Sequence, residues 1–264
     1  METGHSDTTN SSMTKTKNKI FYLSIQLSLN GFSFCVFNQE KEIEFKIVET
    51  SKNKFSEYEL LILIKEVFDT NDTLKLNFKQ IKVIYQNELF ALVPKEIFEE
   101  KNCVNYLNYS VKTLATDYIT FDEIGNFNII DVFIPYINLN NYLFDALGEF
   151  NYMHSSNVLI KHILEHNTSE GTPKIDLLIS HCYFEMVVSK GKELLLFNAF
   201  EYQSNEDILY YLLFCMEQLN LSPNEIPVIL LNQIDSTLFE LLYTYIRHVN
   251  KSNIKADEFL HTII

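Results

Sequence analysis

The stretch YLSIQLSLNGFSFCVF, residues 22–37, decides the fold because it holds two strand patterns separated by a turn. Apolar and small polar residues alternate along both parts, with the period of a half-buried β-strand. Asn30-Gly31 between them is a dipeptide that favours the tight turn of a β-hairpin, with positive φ angles. A third β-rich segment, KEIEFKIVET (41–50), follows a short polar turn. Together the three segments predict an antiparallel meander.

A helix and a fourth strand complete this unit. The segment SEYELLILIKEVFD (56–69) begins with Ser56, a favourable N-cap residue, and has Glu57 and Glu59 in its first turn. The segment IKVIYQN (81–87) is typical of a strand. Because the helix must carry the chain back across the sheet, we expect a right-handed crossover to a parallel strand. The predicted unit is therefore α/β with a mixed sheet.

The second half of the chain repeats this order of elements. Its segments are IDLLIS (175–180), YFEMVVS (183–189), ELLLFNAF (193–200), SNEDILYYLLFCMEQL (204–219) and IPVILLN (226–232). Corresponding residues keep a nearly constant separation, which is 152 residues from Phe45 to Phe197 and 145 from Ile81 to Ile226. Few residues are identical, so it is the order of the elements that indicates a duplication.

The residues between the copies supply further elements. They are a helix at 93–107 with Pro94 at its start, a hairpin around Gly125-Asn126, and helices at 138–148 and 155–167. Gly, Thr and Pro cluster in residues 167–173, which is the best candidate for a domain boundary. The predicted parts are a disordered tail (1–18), a first subdomain with the inserted hairpin and helices (19–168) and a second subdomain (169–264).

Charge and cysteine content exclude several classes of function. The chain carries a formal net charge of −14. A polyanionic chain gains nothing from nucleic acid or an anionic membrane surface, so we expect no nucleic-acid binding and no membrane insertion. The four cysteines lie far apart, without the spacing of a metal or redox motif. They predict reduced thiols in a cytoplasmic protein, the alternative being two disulfides in a secreted one.

The duplicated β-β-β-α-β order resembles the actin-like ATPase superfamily, whose members bind ATP between two ribonuclease-H-like halves. Four segments are similar to an uncharacterised bacterial family that has this actin-like fold and no assigned function. They are LSIQLSLNGFSFCVFN (23–38), VIYQNELFALVP (83–94), VFIPYINLNNYLFDAL (132–147) and HSSNVLI (154–160). The resemblance implies an α/β, duplicated ribonuclease-H-like fold with two mixed β-sheets flanked by helices. It covers nearly the whole chain after about residue 19.

The ATPase members resemble each other at three loops, and this sequence departs from all three. The first two loops are hairpins of the Asp-x-Gly-Ser/Thr type, one in each half, and the third is a Gly-Gly turn. Here the first hairpin has Gln26 and Ser28 near the Asp position, the second has SHC (180–182), and NQ (232–233) replaces the glycines. A phosphate cradle needs glycine where backbone N–H groups approach closely. We therefore expect no Mg-ATP hydrolysis, no catalytic residues and no cofactor.

Two hypotheses for the function follow. The first is a non-catalytic descendant of the ATPase fold that acts as a cytosolic scaffold or protein-interaction module, with one or more protein partners. The second is an enzyme, or a small-molecule or nucleotide binder, that uses the cleft between the two halves. The candidate cleft-lining residues come from the three loops and are Ser28, Asn30, His181, Asn232 and Asp235.

Three histidines were candidates for a more specific role on sequence grounds. The spacing of His162 and His166 places both on one helix face, where they could bind a metal. The sequence offers no third ligand, so we expect no metal site there. His154, directly before the segment SSN, is expected to cap the following helix or to line a cleft, and the structural role is favoured.

Overall fold

Two five-stranded mixed sheets form the centre of the protein in the computed structural model, which describes residues 20–167, 171–254 and 256–262. The predicted tail, residues 1–18, lies outside the described residues. In chain order the strands are β1 (Phe21–Ser28), β2 (Gly31–Phe37), β3 (Ile43–Thr50), β4 (Phe78–Tyr85), β5 (Phe90–Pro94), β6 (Thr120–Glu123), β7 (Ile129–Phe133), β8 (Asn151–His154), β9 (Pro173–Ile179), β10 (Tyr183–Lys190), β11 (Glu193–Glu201), β12 (Val228–Leu230) and β13 (Val249–Asn250). The helices are α1 (Glu57–Thr70), α2 (Cys103–Leu107), α3 (Ile137–Leu147), α4 (Ser155–His166), α5 (Asn205–Gln218), α6 (Ser236–Tyr245) and α7 (Ala256–Thr262).

The two sheets have the same strand order, which confirms the predicted α/β fold with two mixed sheets flanked by helices. The first sheet runs β3-β2-β1-β4-β8 and the second runs β11-β10-β9-β12-β13. In each copy the first three strands pair antiparallel. The fourth strand of each sheet pairs parallel with the first strand of its copy, and the last strand pairs parallel with the fourth. The predicted boundary between the subdomains falls at residues 168–170, outside the described residues, and stays a prediction.

Capping boxes begin the equivalent helices α1 and α5, as the sequence predicts. Ser56 Oγ accepts the Glu59 N–H at 3.2 Å, and a Glu59 carboxylate oxygen accepts the Ser56 N–H at 2.8 Å. Ser204 and Asp207 make the same reciprocal pair at 3.3 and 3.0 Å. Each box satisfies backbone donors that the first helical turn leaves without an intrahelical partner.

Strand β1 is buried on both faces. Leu23, Ile25 and Leu27 belong to the apolar core on one face. Ser24 and Gln26 lie on the other face and are also buried. The alternating pattern of this strand therefore reflects one apolar and one polar face that are both buried. It does not reflect one buried and one solvent-exposed face.

The segment 93–107 differs from its prediction as one helix. It consists of the end of β5, two 3₁₀ turns (Lys95–Ile97 and Glu100–Asn102) and the short helix α2. Pro94 ends β5, which is an edge strand paired only with β7 among the described strands. Proline is tolerated there because an edge strand leaves some N–H groups outside the ladder. The inserted sheet, in the order β5-β7-β6, has a small core of its own together with α2.

Helix α7 follows the last strand of the second copy and packs on the first. Phe259 and Leu260 lie in the apolar cluster of the first sheet. The two ring nitrogens of His261 lie 2.6 Å from Ser24 Oγ and 2.7 Å from Ser33 Oγ. The second copy therefore covers the polar face of β1.

Within the described part of the chain, no helix is both long and apolar enough to cross a membrane. Cys103, Cys182 and Cys215 are free thiols, which is inconsistent with two disulfides. Burial raises the pKa of each of these thiols, so all three are poor nucleophiles.

Candidate functional site

A cleft of about 410 Å³ lies where the first hairpins of the two copies face each other. The β1–β2 hairpin and the end of β3 form one wall. The β9–β10 loop, Tyr202 and the loop after β12 form the other. This volume lies in the range of small-molecule sites in proteins.

Four of the five predicted cleft residues line this space. They are Ser28, Asn30, His181 and Asp235. Asn232 is not among the lining residues, because its side chain is buried and bonded to Ile179. Its amide donates to the Ile179 carbonyl at 2.7 Å and accepts the Ile179 N–H at 3.0 Å, tying the end of β12 to β9. That any of the five binds a ligand stays a prediction.

The first hairpin satisfies its own polar groups. Ser28 Oγ donates to the Gly31 carbonyl at 3.1 Å and accepts the Asn30 N–H at 3.2 Å. The Leu29 and Asn30 carbonyls accept N–H groups from the loop after β3, at 2.7 and 2.8 Å. The Asn30 N–H therefore already has an acceptor within the loop.

The packing of the sheet explains why residue 31 is a glycine. It pairs with Ser28 at the start of β2, so the turn residues are Leu29 and Asn30, one position earlier than the Asn-Gly pattern suggests. Of Asn30 and Gly31, only Gly31 has a positive φ, at +145°. A Cβ at this position would overlap the Glu49 carbonyl on the neighbouring strand. Glycine at this position allows β3 to approach β2 closely. The close packing of β3 therefore explains Gly31 without a bound phosphate.

The second hairpin is also closed by internal contacts. The Ser180 N–H donates to the Tyr183 carbonyl at 2.9 Å, and Tyr202 Oη donates to the Ser180 carbonyl at 2.7 Å. Burial raises the pKa of Tyr202 to about 12, so this hydroxyl is a donor at neutral pH. Burial and the charge of Glu201 raise the pKa of Cys182.

The third loop presents a carboxylate, Asp235, two residues after the Asn232-Gln233 pair that replaces the glycines of the ATPase members. Asp235 is the N-cap of α6, and its side chain accepts the Leu238 N–H at 2.8 Å and the Thr237 hydroxyl at 2.6 Å. These hydrogen bonds, the hydroxyl first, lower the pKa of Asp235. The N-terminus of α6 therefore already carries a negative charge, which would repel a phosphate.

The charge of the cleft is unfavourable for a nucleotide. Its lining residues include the acidic Glu49 and Asp235 together with His181, and no lysine or arginine is among them. At the outer end of the cleft, Lys54 is held in ion pairs with Glu88 of the first half, at 2.9 Å, and with Glu201 of the second. A triphosphate in the cleft would face Glu49 and Asp235, while Lys52 and Lys54 line a neighbouring space that shares Asn30, His181 and Tyr202 with the cleft.

Gln26 and Tyr183 are the two described cleft residues that each have a buried polar atom without a hydrogen-bond partner, and Gln26 lies on the first hairpin. Gln26 lines the cleft and is 8% exposed, and in the described part of the chain its Nε2 has no hydrogen-bond partner. A buried donor without a partner costs about 1–3 kcal/mol. The signal in the sequence that points to Gln26 is its place in the first hairpin, near the position of the Asp in the ATPase members.

A buried polar network lies behind the cleft, where the two halves meet. Glu185 on β10 accepts hydrogen bonds from Ser155 Oγ at 2.6 Å and from Gln86 Nε2 at 2.9 Å. Ser155 begins α4 in the first half, so the carboxylate lies at a helix N-terminus. Burial raises the pKa of Glu185, and the two hydrogen bonds offset part of that rise. Sequence reasoning missed both Gln86 and Glu185.

His154 caps α4, which confirms its predicted structural role. Its Nε2 lies 3.0 Å from the Asn87 carbonyl and therefore carries the proton, while Nδ1 accepts the Ser156 N–H at 3.2 Å. Ser156 Oγ bonds to Asp131 and lies 2.6 Å from His154 Nδ1. Burial lowers the pKa of His154 to about 3 and raises that of Asp131 to about 7. All three side chains are fully buried, so no substrate reaches this Ser-His-Asp set.

The histidine pair on α4 forms part of no larger ligand set. His166 Nδ1 lies 2.8 Å from the His162 carbonyl, and the His162 ring packs edge-on against Phe259. Over residues 20–167, 171–254 and 256–262, no three His, Cys, Asp or Glu side chains come together as metal ligands do.

These features define the chain as a protein of the actin-like ATPase fold, with two ribonuclease-H-like halves and a cleft between their first hairpins. It belongs to the family described as Protein of unknown function (DUF3822), whose family model matches residues 9–249. This confirms the predicted membership of an uncharacterised family with this fold. No curated protein matches the chain.

Solved structures share the fold at low sequence identity. A Bacteroides thetaiotaomicron protein with actin-like ATPase fold and unknown function superposes with a TM-score of 0.81, at 21% identity, over 96% of this chain and 100% of that one. The PilM–PilN type IV pilus biogenesis complex gives 0.58 at 12% identity, over 88% of each chain. The ethanolamine utilization protein EutJ from Carboxydothermus hydrogenoformans gives 0.52 at 9% identity, over 92% of this chain and 88% of that one.

Proposed function

We propose that this chain is a non-catalytic, cytosolic member of the actin-like fold that acts as a protein-interaction module. The observation that carries the proposal is the closed state of the first hairpin. Ser28 Oγ accepts the Asn30 N–H, so this loop donor is not free to bind a phosphate, and the loop carbonyls bond to the segment after β3. The acidic lining of the cleft supports the same conclusion, because Glu49 and Asp235 are unfavourable for a triphosphate.

The inserted segment is the best surface for a partner. It occurs in the first copy and has no counterpart in the described part of the second. Large apolar side chains are exposed along it, including Tyr109 (91% exposed) and Leu114 (62% exposed). The others are Ile97, Val104 and Tyr118. Clustered exposed apolar side chains are typical of an interaction site, and tyrosine is enriched at such interfaces.

A structural relative is consistent with this type of role. The similar PilM–PilN structure is of a complex between proteins. A chain with this overall fold can therefore be part of a protein assembly, which the proposal extends to this family.

The test compares two variants in affinity capture from a lysate of the source organism. Tyr109→Ser combined with Leu114→Ser removes the exposed apolar surface of the insertion. Tyr58→Ser removes an exposed tyrosine of α1 (72% exposed) and serves as the control. We expect a partner that the wild type and the control retain and the double variant loses. The same captured proteins with all three baits would contradict an interface on the insertion.

A second candidate function is binding of a small uncharged or cationic molecule in the cleft. The unpartnered Gln26 amide favours it, because a ligand acceptor would satisfy this donor. Gln26→Leu should raise the stability of the unliganded protein by removing a buried polar group without a partner. The same change should abolish the thermal shift caused by any ligand of the cleft. If Gln26→Leu lowers the stability instead, the amide has a structural partner and this candidate fails.

A further inference from the structure

A second cavity lies on the polar face of the first sheet, lined by residues that do not line the cleft. Its volume is about 400 Å³. The start of β1, the β2–β3 turn, β4 and the helix α7 surround it. Its polar lining includes Ser24, Asn38, Gln39, Lys41, Gln80 and Lys82.

Strand register explains why these residues meet. Ser24 on β1 pairs with Lys82 on β4, and Tyr22 pairs with Gln80. Residues two apart share a face of a strand, so Gln80 and Lys82 project to the same side as Ser24. The β2–β3 turn brings Lys41 to the same space. The strand pairing thus collects side chains that are far apart in sequence.

Two lysines, Lys41 and Lys82, line this cavity in a chain whose net charge is −14. Lys82 is partly buried, and its pKa is lowered by burial and by the charges of Lys161 and Lys41. Among the described residues, no carboxylate lines the cavity and none forms an ion pair with Lys41, Lys82 or Lys161. The glutamates of the same turn, Glu42 and Glu44, accept hydrogen bonds from Asn38 instead.

We propose that this cavity binds a small molecule bearing phosphate groups, with Lys41 and Lys82 as its cationic ligands. The amides of Gln39 and Gln80 supply neutral donors beside the two ammonium groups. Lysine is a common phosphate ligand, acting as a point charge. The volume suits a small ligand better than a macromolecular surface, which would need a larger and flatter contact area.

Both lysines are unfavourable choices for the fold alone. Lys41 has φ of +63°, in the left-handed region where glycine and asparagine are preferred. Lys82 places a partly desolvated charge beside other positive charges. Residues that lower the stability of the fold and make no compensating structural contact are typical of binding sites. This contrast allows a binding role to be distinguished from a structural one.

The experiment uses the full chain and inorganic pyrophosphate as the probe, with sodium chloride matching the ionic strength. Thermal unfolding and calorimetry are measured for the wild type, Lys82→Gln, Lys41→Asn and the control Lys112→Gln. The control makes the same charge change on the insertion, outside the cavity. Without probe, we expect Lys82→Gln and Lys41→Asn to melt at or above the temperature of the wild type.

With probe, we expect the wild type and Lys112→Gln to bind and to melt at a higher temperature. Each cavity variant should bind about tenfold more weakly, the loss of one charge-assisted contact. No binding by the wild type, or equal binding by all four proteins, would overturn the proposal. A parallel titration with citrate tests the ligand class, and binding of citrate in place of pyrophosphate would overturn the assignment to phosphate.

Discussion

Ser155 Oγ donates a hydrogen bond of 2.6 Å to the fully buried carboxylate of Glu185, and this contact joins the two halves of the protein. Ser155 begins α4 in the first copy, and Glu185 lies on β10 in the second. A buried carboxylate is costly unless donors compensate it. The interface behind the cleft therefore depends on this polar contact as well as on apolar packing.

The first prediction concerns this contact. Ser155→Ala should lower the free energy of unfolding by about 2–3 kcal/mol, because a buried carboxylate loses a donor. Ser189→Ala is the control, since Ser189 is equally buried but accepts its hydrogen bond from the neutral amide of Asn167. The control should cost about 1 kcal/mol. In a Glu185→Gln background the cost of Ser155→Ala should fall to that of the control. Urea unfolding measures all five proteins, and equal costs for both serines in the wild-type background would contradict the prediction.

The second prediction concerns Asp131, whose pKa burial raises to about 7. An unfolded aspartate titrates near 3.9, so the folded state holds the extra proton between about pH 4 and 7. The contribution of Asp131 to stability is thus present at low pH and is lost as the pH rises through that window. His154, with its pKa lowered to about 3, acts in the opposite sense between about pH 3 and 6.5 and partly hides this effect.

Asp131→Asn separates the two groups, because His154 is present in both proteins. The stability of the variant relative to the wild type should increase with pH, by up to about 1.4 kcal/mol per pH unit between pH 4 and 7. Urea unfolding at pH 5 and pH 8 measures this difference. A difference that does not change with pH would show that Asp131 is ionised in the folded protein throughout.

The third prediction separates two glycines by their surroundings. Gly31→Ala should destabilise the protein by more than about 2 kcal/mol, because the new methyl group overlaps the Glu49 carbonyl. Gly148→Ala is the matched control, since Gly148 also has a positive φ, of +79°, but nothing lies within 4 Å of its Cβ position. It should cost about 1–3 kcal/mol, because its φ of +79° and ψ of −150° lie in a backbone region that is essentially restricted to glycine, and Gly31→Ala should exceed this cost because of the added overlap. Equal costs for the two changes would mean that β3 yields and that Gly31 is not required for the sheet.

The sequence was informative where local chemistry decides the structure. Ser56 and Ser204 begin their helices, Gly148 ends α3 with a positive φ, and His154 caps α4. The strands β8 and β13 were missed because they have only four and two residues, too few to show a pattern. Such short strands form because a parallel neighbour already exists.

The sequence indicated which loops surround the cleft, but not which hydrogen bonds their side chains make. Ser28, Asn30, His181 and Asp235 line the cleft because equivalent hairpins of a duplicated unit face each other. Asn232 is not among the residues that line the cleft, because its amide bonds to the backbone of Ile179, a pairing that only the sheet reveals. The second cavity was invisible for the same reason, since the strand register collects its lysines.

The most direct test of the account is calorimetric titration of Mg-ATP into the Lys82→Gln variant, in which the second cavity no longer contributes. In the cleft, the Asn30 N–H of the first hairpin is already bonded to Ser28 Oγ, and Glu49 and Asp235 are among the lining residues. We therefore expect no saturable, Mg²⁺-dependent heat up to millimolar ATP. Mg²⁺-dependent binding with a micromolar dissociation constant, weakened by substitutions at Ser28 and Ser180, would contradict it.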